Sequence, residues 1–345
     1  MDGKKVGTDT EAAMSDPSIS VVMPVYNASA TLGAAVESIC AQSFEDWEYI
    51  IIDDGSSDGS VALLEDWAAK EPRIRIFKNP ENLGLPRSLN RGLSESRGRY
   101  IARMDADDIC EPERLRKQVE WMEVHPDTVL CGTWVQFFGS KTHVRQMPTE
   151  HEELRVKMLL EYPFEHPTLM MRRSFLQEHD LRYNESLRLS EDLDLCHRVA
   201  RKGRVTNLPE PLLRLRQHDQ RTHRTQPDVL KQGVGLVYAR QMEEFDLSTG
   251  DSDLYFRIRA DVECCDIDDA QERTDWFEKV IRANREKKVY SQEVLESYLT
   301  RRWEDWLRVT AKHLKGCGKI FRGSSMSKRV KPGWWSRYQL SRKLG

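Results

Sequence analysis

The sequence lacks any long apolar run. Its most hydrophobic stretches, Val-Val-Met-Pro-Val over 21–25 and Tyr-Ile-Ile-Ile over 49–52, fall far short of the roughly 18 residues a membrane-spanning helix needs. With 32% charged residues and a mean hydropathy of −0.65, the chain does not read as a helical channel or transporter. The first 17 residues are polar and carry both charge signs, without the apolar segment of a secretory signal. The seven cysteines, at 40, 110, 131, 196, 264, 265 and 317, include no Cys-x-x-Cys pair. Neither a zinc site nor a disulfide framework is signalled, and a reducing cytoplasm is expected. Glycine-rich phosphate loops are missing too: neither Gly-x-Gly-x-x-Gly nor Gly-x-x-x-x-Gly-Lys-Ser/Thr follows any predicted strand. Dinucleotide-binding, P-loop and sugar-nucleotide pyrophosphorylase readings therefore lack their fingerprint.

Acid is absent from the end of the chain. Residues 306–345 hold eleven of the 53 Lys and Arg and none of the 56 Asp and Glu. The other 305 residues carry 42 basic and 56 acidic side chains, a net −14. Such asymmetry suggests a catalytic or binding body with a basic tail for an anionic surface. Over 312–345 the cations are interleaved with Ile320-Phe321 and Trp334-Trp335, which suits an anionic membrane interface and equally a solvated terminus. A body of that charge is a poor nucleic-acid surface.

What is present is a regular alternation. Short β-branched runs at 19–23, 49–52, 74–77, 100–104 and 129–131 are separated by helical patterns at 31–41, 60–69, 85–95 and 112–124, the last with Pro112 in its first turn. Strands alternating with single helices predict βαβ units and a mostly parallel sheet with helices on both faces. From 150 to 225 the pattern is less regular, with helices at 152–161 and 191–202, an apolar run at 168–171, and edge strands at 204–208 and 212–217 around Pro209 and Pro211. After 226 the chain reads as helical. Val294, Leu295, Tyr298, Leu299, Trp303, Trp306, Leu307 and Leu314 share one stripe. The expected division is a flexible 1–17, a sheet domain at 18–225, a helical region at 226–316 and the basic tail at 317–345.

In an open parallel sheet ligands bind beyond the carboxyl ends of the strands. There the sequence places Pro24-Val-Tyr26-Asn27, then Asp53-Asp54-Gly-Ser-Ser-Asp-Gly59, then Asp105-Ala-Asp107-Asp108. Two carboxylates about 5 Å apart repel by roughly 3 kcal/mol at an effective dielectric near 20. A divalent cation relieves that repulsion, and all-oxygen ligands favour Mg²⁺ or Mn²⁺. Acids after a strand also cap helices or face water. Tyr26 could stack on a nucleobase or simply pack. Asp53-Asp54 could hold a base or ribose, while Ser57 or Asp58 caps the next helix. Glu191-Asp192 reads as a general base or as a favourable helix start. His218, near Arg214 and Arg216, reads as a ligand or as a structural histidine.

Taken in order, Val-Val-Met-Pro-Val-Tyr-Asn at 21–27, Ile-Ile-Asp-Asp-Gly-Ser-Ser-Asp-Gly at 51–59, Met-Asp-Ala-Asp-Asp at 104–108 and Ser-Glu-Asp-Leu-Asp-Leu at 190–195 resemble family 2 glycosyltransferases. The segments Asn-Leu-Gly-Leu at 82–85, His-Pro-Thr at 166–168 and Pro-Glu-Pro-Leu-Leu at 209–213 extend the resemblance over about 18–220. It implies a GT-A fold, a Rossmann-like α/β sheet with a helical C-terminal extension, and an inverting transfer from a nucleotide-sugar, commonly a UDP-sugar. By position, Pro24, Tyr26, Asp54 and Arg87 would line the nucleobase pocket. Asp105 and Asp107 would form the D-x-D motif that holds Mn²⁺ or Mg²⁺, with His218 as a further metal or phosphate contact. Asp192 would be the catalytic base, with Glu191 beside it against substrate. A glycan or lipid-linked acceptor in surface polysaccharide or lipopolysaccharide synthesis is expected, with a cytoplasmic enzyme peripheral on the membrane. The rival reading is a degenerate, non-enzymatic module. Leu193, Cys196 and His197 stand where relatives often carry aromatics, so acceptor preference is not carried over.

Overall fold

The computed structural model describes residues 16–140, 142–217, 227–247, 252–260, 264 and 266–330. His218, Trp334 and Trp335 lie outside the described residues. β1 (Ile19–Val25), β2 (Trp47–Asp53), β3 (Ile74–Lys78) and β4 (Tyr100–Arg103) are joined by α1 (Leu32–Cys40), α2 (Ser60–Lys70) and α3 (Leu85–Glu95). They lie in the order β3-β2-β1-β4 and are all parallel. The chain thus winds outward from β1 to β3 and returns to the other side of β1 for β4. The reversal opens a crevice at the carboxyl ends of β1 and β4.

The chain continues through β5 (Ile109–Cys110), α4 (Arg114–Val124), β6 (Thr128–Gly139), β7 (His143–Arg145), α5 (His151–Lys157), β8 (Met170–Arg172), α6 (Arg173–Glu178), α7 (Glu191–Ala200) and β9 (Arg204–Gln217). These extend the sheet as β4-β8-β6-β9-β5, with β7 on β6. The antiparallel ladders are only two or three residue pairs long, whereas β6 and β9 pair in parallel along most of their length. The result is a mixed α/β sheet whose longer ladders are parallel, with helices on both faces.

Side chains alternate as strands buried on both faces require. Val21, Met23, Val25, Tyr49 and Ile51 pack with Leu32 and Val36 of α1 and Leu115 and Val119 of α4. Val22, Ile50 and Ile52 point the other way, into a cluster that reaches Leu89, Leu195 and Trp303. Helices α3, α5 and α7 lie directly on that second face. Beyond them α8 (Pro227–Glu243), α9 (Ser252–Arg259), α10 (Ile267–Lys287), α11 (Gln292–Thr310) and α12 (Cys317–Gly323) extend the same cluster outward, α8 packing on α7 and α11 on α5. The stripe read from 294 to 314 lies in or against this cluster. Polar ties reinforce it: the Tyr255 hydroxyl donates to the Leu159 carbonyl at 2.7 Å and the Gln241 amide to that of Met158 at 3.1 Å. Among the described residues no helix is long and apolar enough to cross a membrane.

Two local expectations are corrected. The predicted helix at 112–124 begins at Arg114, so Pro112 lies ahead of it and its carbonyl accepts from the Ser43 N–H at 2.9 Å. The two predicted edge strands at 204–208 and 212–217 are one strand, β9, lying between β6 and β5. Proline cannot donate to a ladder and is tolerated at a bulge. Here Pro209, Glu210 and Pro211 are exposed where the register with Thr133, Trp134 and Val135 shifts.

Candidate active site

β4 ends at Arg103, beside β1, so the acidic run leaves the sheet at the point of reversal. Its backbone is fixed on both sides. The Met104 N–H donates to the Val22 carbonyl at 3.0 Å, and the Thr31 hydroxyl donates to the Ala106 carbonyl at 2.9 Å. From β9, the Arg216 N–H donates to the Asp108 carboxylate at 2.8 Å and its guanidinium to the Asp107 carbonyl at 3.0 Å. One carboxylate oxygen from each of Asp105, Asp107 and Asp108 lies within 4.8 Å of the others. Asp108 is buried, while Asp105 and Asp107 are half-buried. Burial, then the charges of Asp105 and Asp107, push the Asp108 carboxyl well above its ordinary range. Arg103, 3% exposed, forms an ion pair with Asp105. Burial opposes its charge, but Asp105 more than offsets this and its pKa is raised.

Across a cavity of about 540 Å³ lies the N-terminal turn of α7. Arg103, Asp105, Asp107 and Asp108 line one part of this cavity, and Glu191 and Asp192 another. One oxygen of Asp192 accepts from the Leu193 N–H at 2.7 Å. Burial raises the Asp192 carboxyl, opposed by that hydrogen bond and by Arg103. Glu191 is buried and one of its carboxylate oxygens has no partner among the described residues. Burial, then the charge of Asp192, push it up to about 7. The wall is completed by Tyr162, and by His166, whose Nε2 lies 2.8 Å from the Tyr183 hydroxyl. Burial, and next the charge of Arg103, hold His166 well below its usual range and so neutral.

The acid pair is set rigidly. Leu189, with φ of 68°, occupies the left-handed region, a conformation that costs a non-glycine residue about 1–3 kcal/mol and is held only by its surroundings. Behind it, α8 passes so close that a Cβ on Gly233 would overlap the Ser190 hydroxyl. Asp194, fully buried on α7, is bracketed by Arg198 at 2.6 Å and by Arg240 of α8.

The loops after β1 and β2 form an adjoining unit. Asn27 adopts φ of 49° and its side-chain oxygen accepts from the Ser57 N–H at 2.8 Å. Asp58 accepts from the N–H groups of Ser29 and Ser60, both at 2.9 Å, tying the loop to the start of α2. Gly55, at φ of 75°, has no room for a side chain, because a Cβ would lie 2.6 Å from the Glu81 carbonyl carbon. The buried Asp54 accepts from Asn79 at 2.7 Å, from the Leu83 N–H at 3.0 Å and from the Gly84 N–H at 2.9 Å. It thereby fixes the turn that carries Leu85 into the cleft. Tyr26 is 52% exposed, Pro24 is half-buried, and Arg87 pairs with Glu185 at 3.1 Å.

The structure therefore brings Asp105, Asp107, Glu191 and Asp192 to one cleft, while Pro24, Tyr26, Asp54 and Arg87 do not line it. Sequence reasoning missed Arg103, Arg145, Tyr162, Glu165 and Arg216 in its wall. A signal for Arg103 existed: a cation in a run read as a buried strand needs a buried partner.

The fold, with carboxylates gathered at the reversal of a parallel sheet, defines a GT-A-type glycosyltransferase. The model of glycosyl transferase family 2 matches residues 20–180. The chain is 38% identical over 208 residues to the putative glycosyltransferase EpsE of Bacillus subtilis, covering 59% of this chain and 74% of that one. It is 32% identical over 203 residues to the amylovoran biosynthesis glycosyltransferase AmsE of Erwinia amylovora, covering 57% and 75%. Among solved structures, S. aureus TarS in complex with UDP-GlcNAc superposes with a TM-score of 0.58 at 16% identity, over 86% of this chain and 91% of that one. The chain belongs to glycosyl transferase family 2 and is a transferase enzyme, with relatives in polysaccharide biosynthesis.

Proposed function

We propose that the protein is a metal-dependent, inverting glycosyltransferase that moves a sugar from a nucleotide-sugar, a UDP-sugar first, to a hydroxyl of a glycan or lipid-linked acceptor. The observation that carries this reading is one cleft with Asp105 and Asp107 on one wall and Asp192 on another. Asp192 takes the proton from the acceptor hydroxyl as that oxygen attacks the anomeric carbon. The new C–O bond forms on the face opposite the leaving nucleoside diphosphate, so a single displacement inverts the centre. Glu191, with its unpartnered oxygen, faces the substrate beside the base. Asp105 and Asp107 are half-buried, all-oxygen donors, and the cluster's excess negative charge suits a hard cation. Bound there, Mn²⁺ or Mg²⁺ neutralises charge on the departing diphosphate. His218, proposed as a further contact to metal or phosphate, follows β9 in the sequence and lies outside the described residues.

Exposed Tyr26 is proposed as the stacking face for the nucleobase, with Pro24, Asp54 and Arg87 as further contacts. TarS bound to UDP-GlcNAc supports the donor class, and AmsE supports an acceptor in polysaccharide assembly. The test is Asp192→Asn. Transfer should fall by about 10³-fold with UDP affinity unchanged, while near-normal transfer would remove the reading.

A further inference from the structure

Beyond Trp306 the described residues carry seven cations, Arg308, Lys312, Lys315, Lys319, Arg322, Lys328 and Arg329, and no acid. Two are neutralised, Arg308 by Asp305 at 2.9 Å and Arg329 by Glu296 at 2.8 Å. The other five are exposed, with no side-chain hydrogen bond or ion pair among the described residues. Elsewhere in the helical region Lys231, Arg257, Arg273 and Arg285 each have a carboxylate partner, and the exposed Lys279, Lys288 and Arg301 each have an acid within three residues in sequence. In a chain with more acid than base, a run of bare cations stands apart.

The scaffold beneath them is fixed. Cys317 and Ile320 of α12 are buried, and Phe321 stacks on Trp303 with centroids 5.7 Å apart and rings within 8°. Glu278 of α10 accepts from the Ser324 hydroxyl at 2.7 Å and the Ser325 N–H at 2.6 Å. Lys319 and Arg322, three apart on α12, are therefore held on its outer face. Val309, 52% exposed between Arg308 and Lys312, adds an apolar point among the charges.

We propose that this face docks the protein on an anionic lipid bilayer. Each cation brought to such a surface strengthens binding by about fivefold, within a Debye length of about 8 Å at physiological salt. A bilayer needs to meet only this acid-free segment. A nucleic acid would have to run along a body of net −14, which repels it. The inference concerns where the protein sits and stands apart from its transfer chemistry.

The experiment is co-sedimentation of the full chain with phosphatidylcholine vesicles, with and without about 30% phosphatidylglycerol. Binding is expected only to the anionic vesicles and should fall steeply as salt shortens the Debye length. The combined Lys315→Glu, Lys319→Glu, Arg322→Glu variant should weaken it by at least about 100-fold with an unchanged thermal midpoint. Reversing Lys70, Arg182 and Lys202 to Glu should leave it intact. Absence of binding to anionic vesicles would overturn the proposal. So would unchanged binding by the first variant, which would move the anchor to 331–345, or stronger binding to single-stranded RNA than to vesicles.

Discussion

Glu191 and Asp192 sit where burial makes negative charge costly, and both carboxyls are pushed upward, Glu191 to about 7. The Asp192 base must be ionised to take a proton, so the transfer rate should climb as pH rises through a range above that of an ordinary aspartate and then level off. A rate flat across that range would contradict the assignment. The same shift has a stability consequence. A carboxyl whose folded pKa lies above its ordinary 4.5 favours folding when protonated. Its stabilising contribution is full below 4.5 and is lost as pH rises through about 7. Glu191→Gln should therefore be more stable than the parent in urea unfolding above neutrality and equal to it in acid. At this scale the carboxylates were legible because acids after strands are conspicuous in sequence. Arg103 was signalled only as a cation in a run read as a buried strand, and its partner, Asp105 two residues on, is given by the structure.

At the scale of elements, α7 depends on α8. Gly233→Ala must displace Ser190 at the first turn of α7, so transfer should drop at least about tenfold, with a stability cost of about 1–3 kcal/mol from overpacking. Asp194→Ala removes the buried acceptor shared by Arg198 and Arg240, which are themselves partly exposed, and should cost about 1–3 kcal/mol in urea unfolding. Arg240→Ala should cost less, because Arg198 remains. The βαβ half was readable from periodicity, and α3 fell at its predicted bounds, 85–95. β9 was split in the reading because its prolines break the apolar pattern, although the bulge lets the strand continue past them. The 12-residue β6 was seen only as 129–131, because Gly132-Thr133 and Gln136 interrupt its apolar residues. The dependence of α7 on α8 spans more than 40 residues of chain, and no local pattern announces it.

For the whole molecule, the helices after 226 share one apolar cluster with Ile50 and Ile52 of the central sheet. A chain ending at 225 would expose the sides of α5 and α7 on which α11 and α8 pack and should aggregate, whereas the full chain should unfold in a single transition by both circular dichroism and tryptophan fluorescence. The central claim is that the acidic cluster at the strand reversal binds a nucleotide diphosphate through a divalent cation. Its most direct test is calorimetric titration of UDP, and of GDP, with and without Mn²⁺, into the parent chain and Asp107→Asn. Metal-dependent binding of one nucleotide, abolished by the substitution, is expected. Nucleotide binding that is equal without metal and unaffected by Asp107→Asn would contradict it.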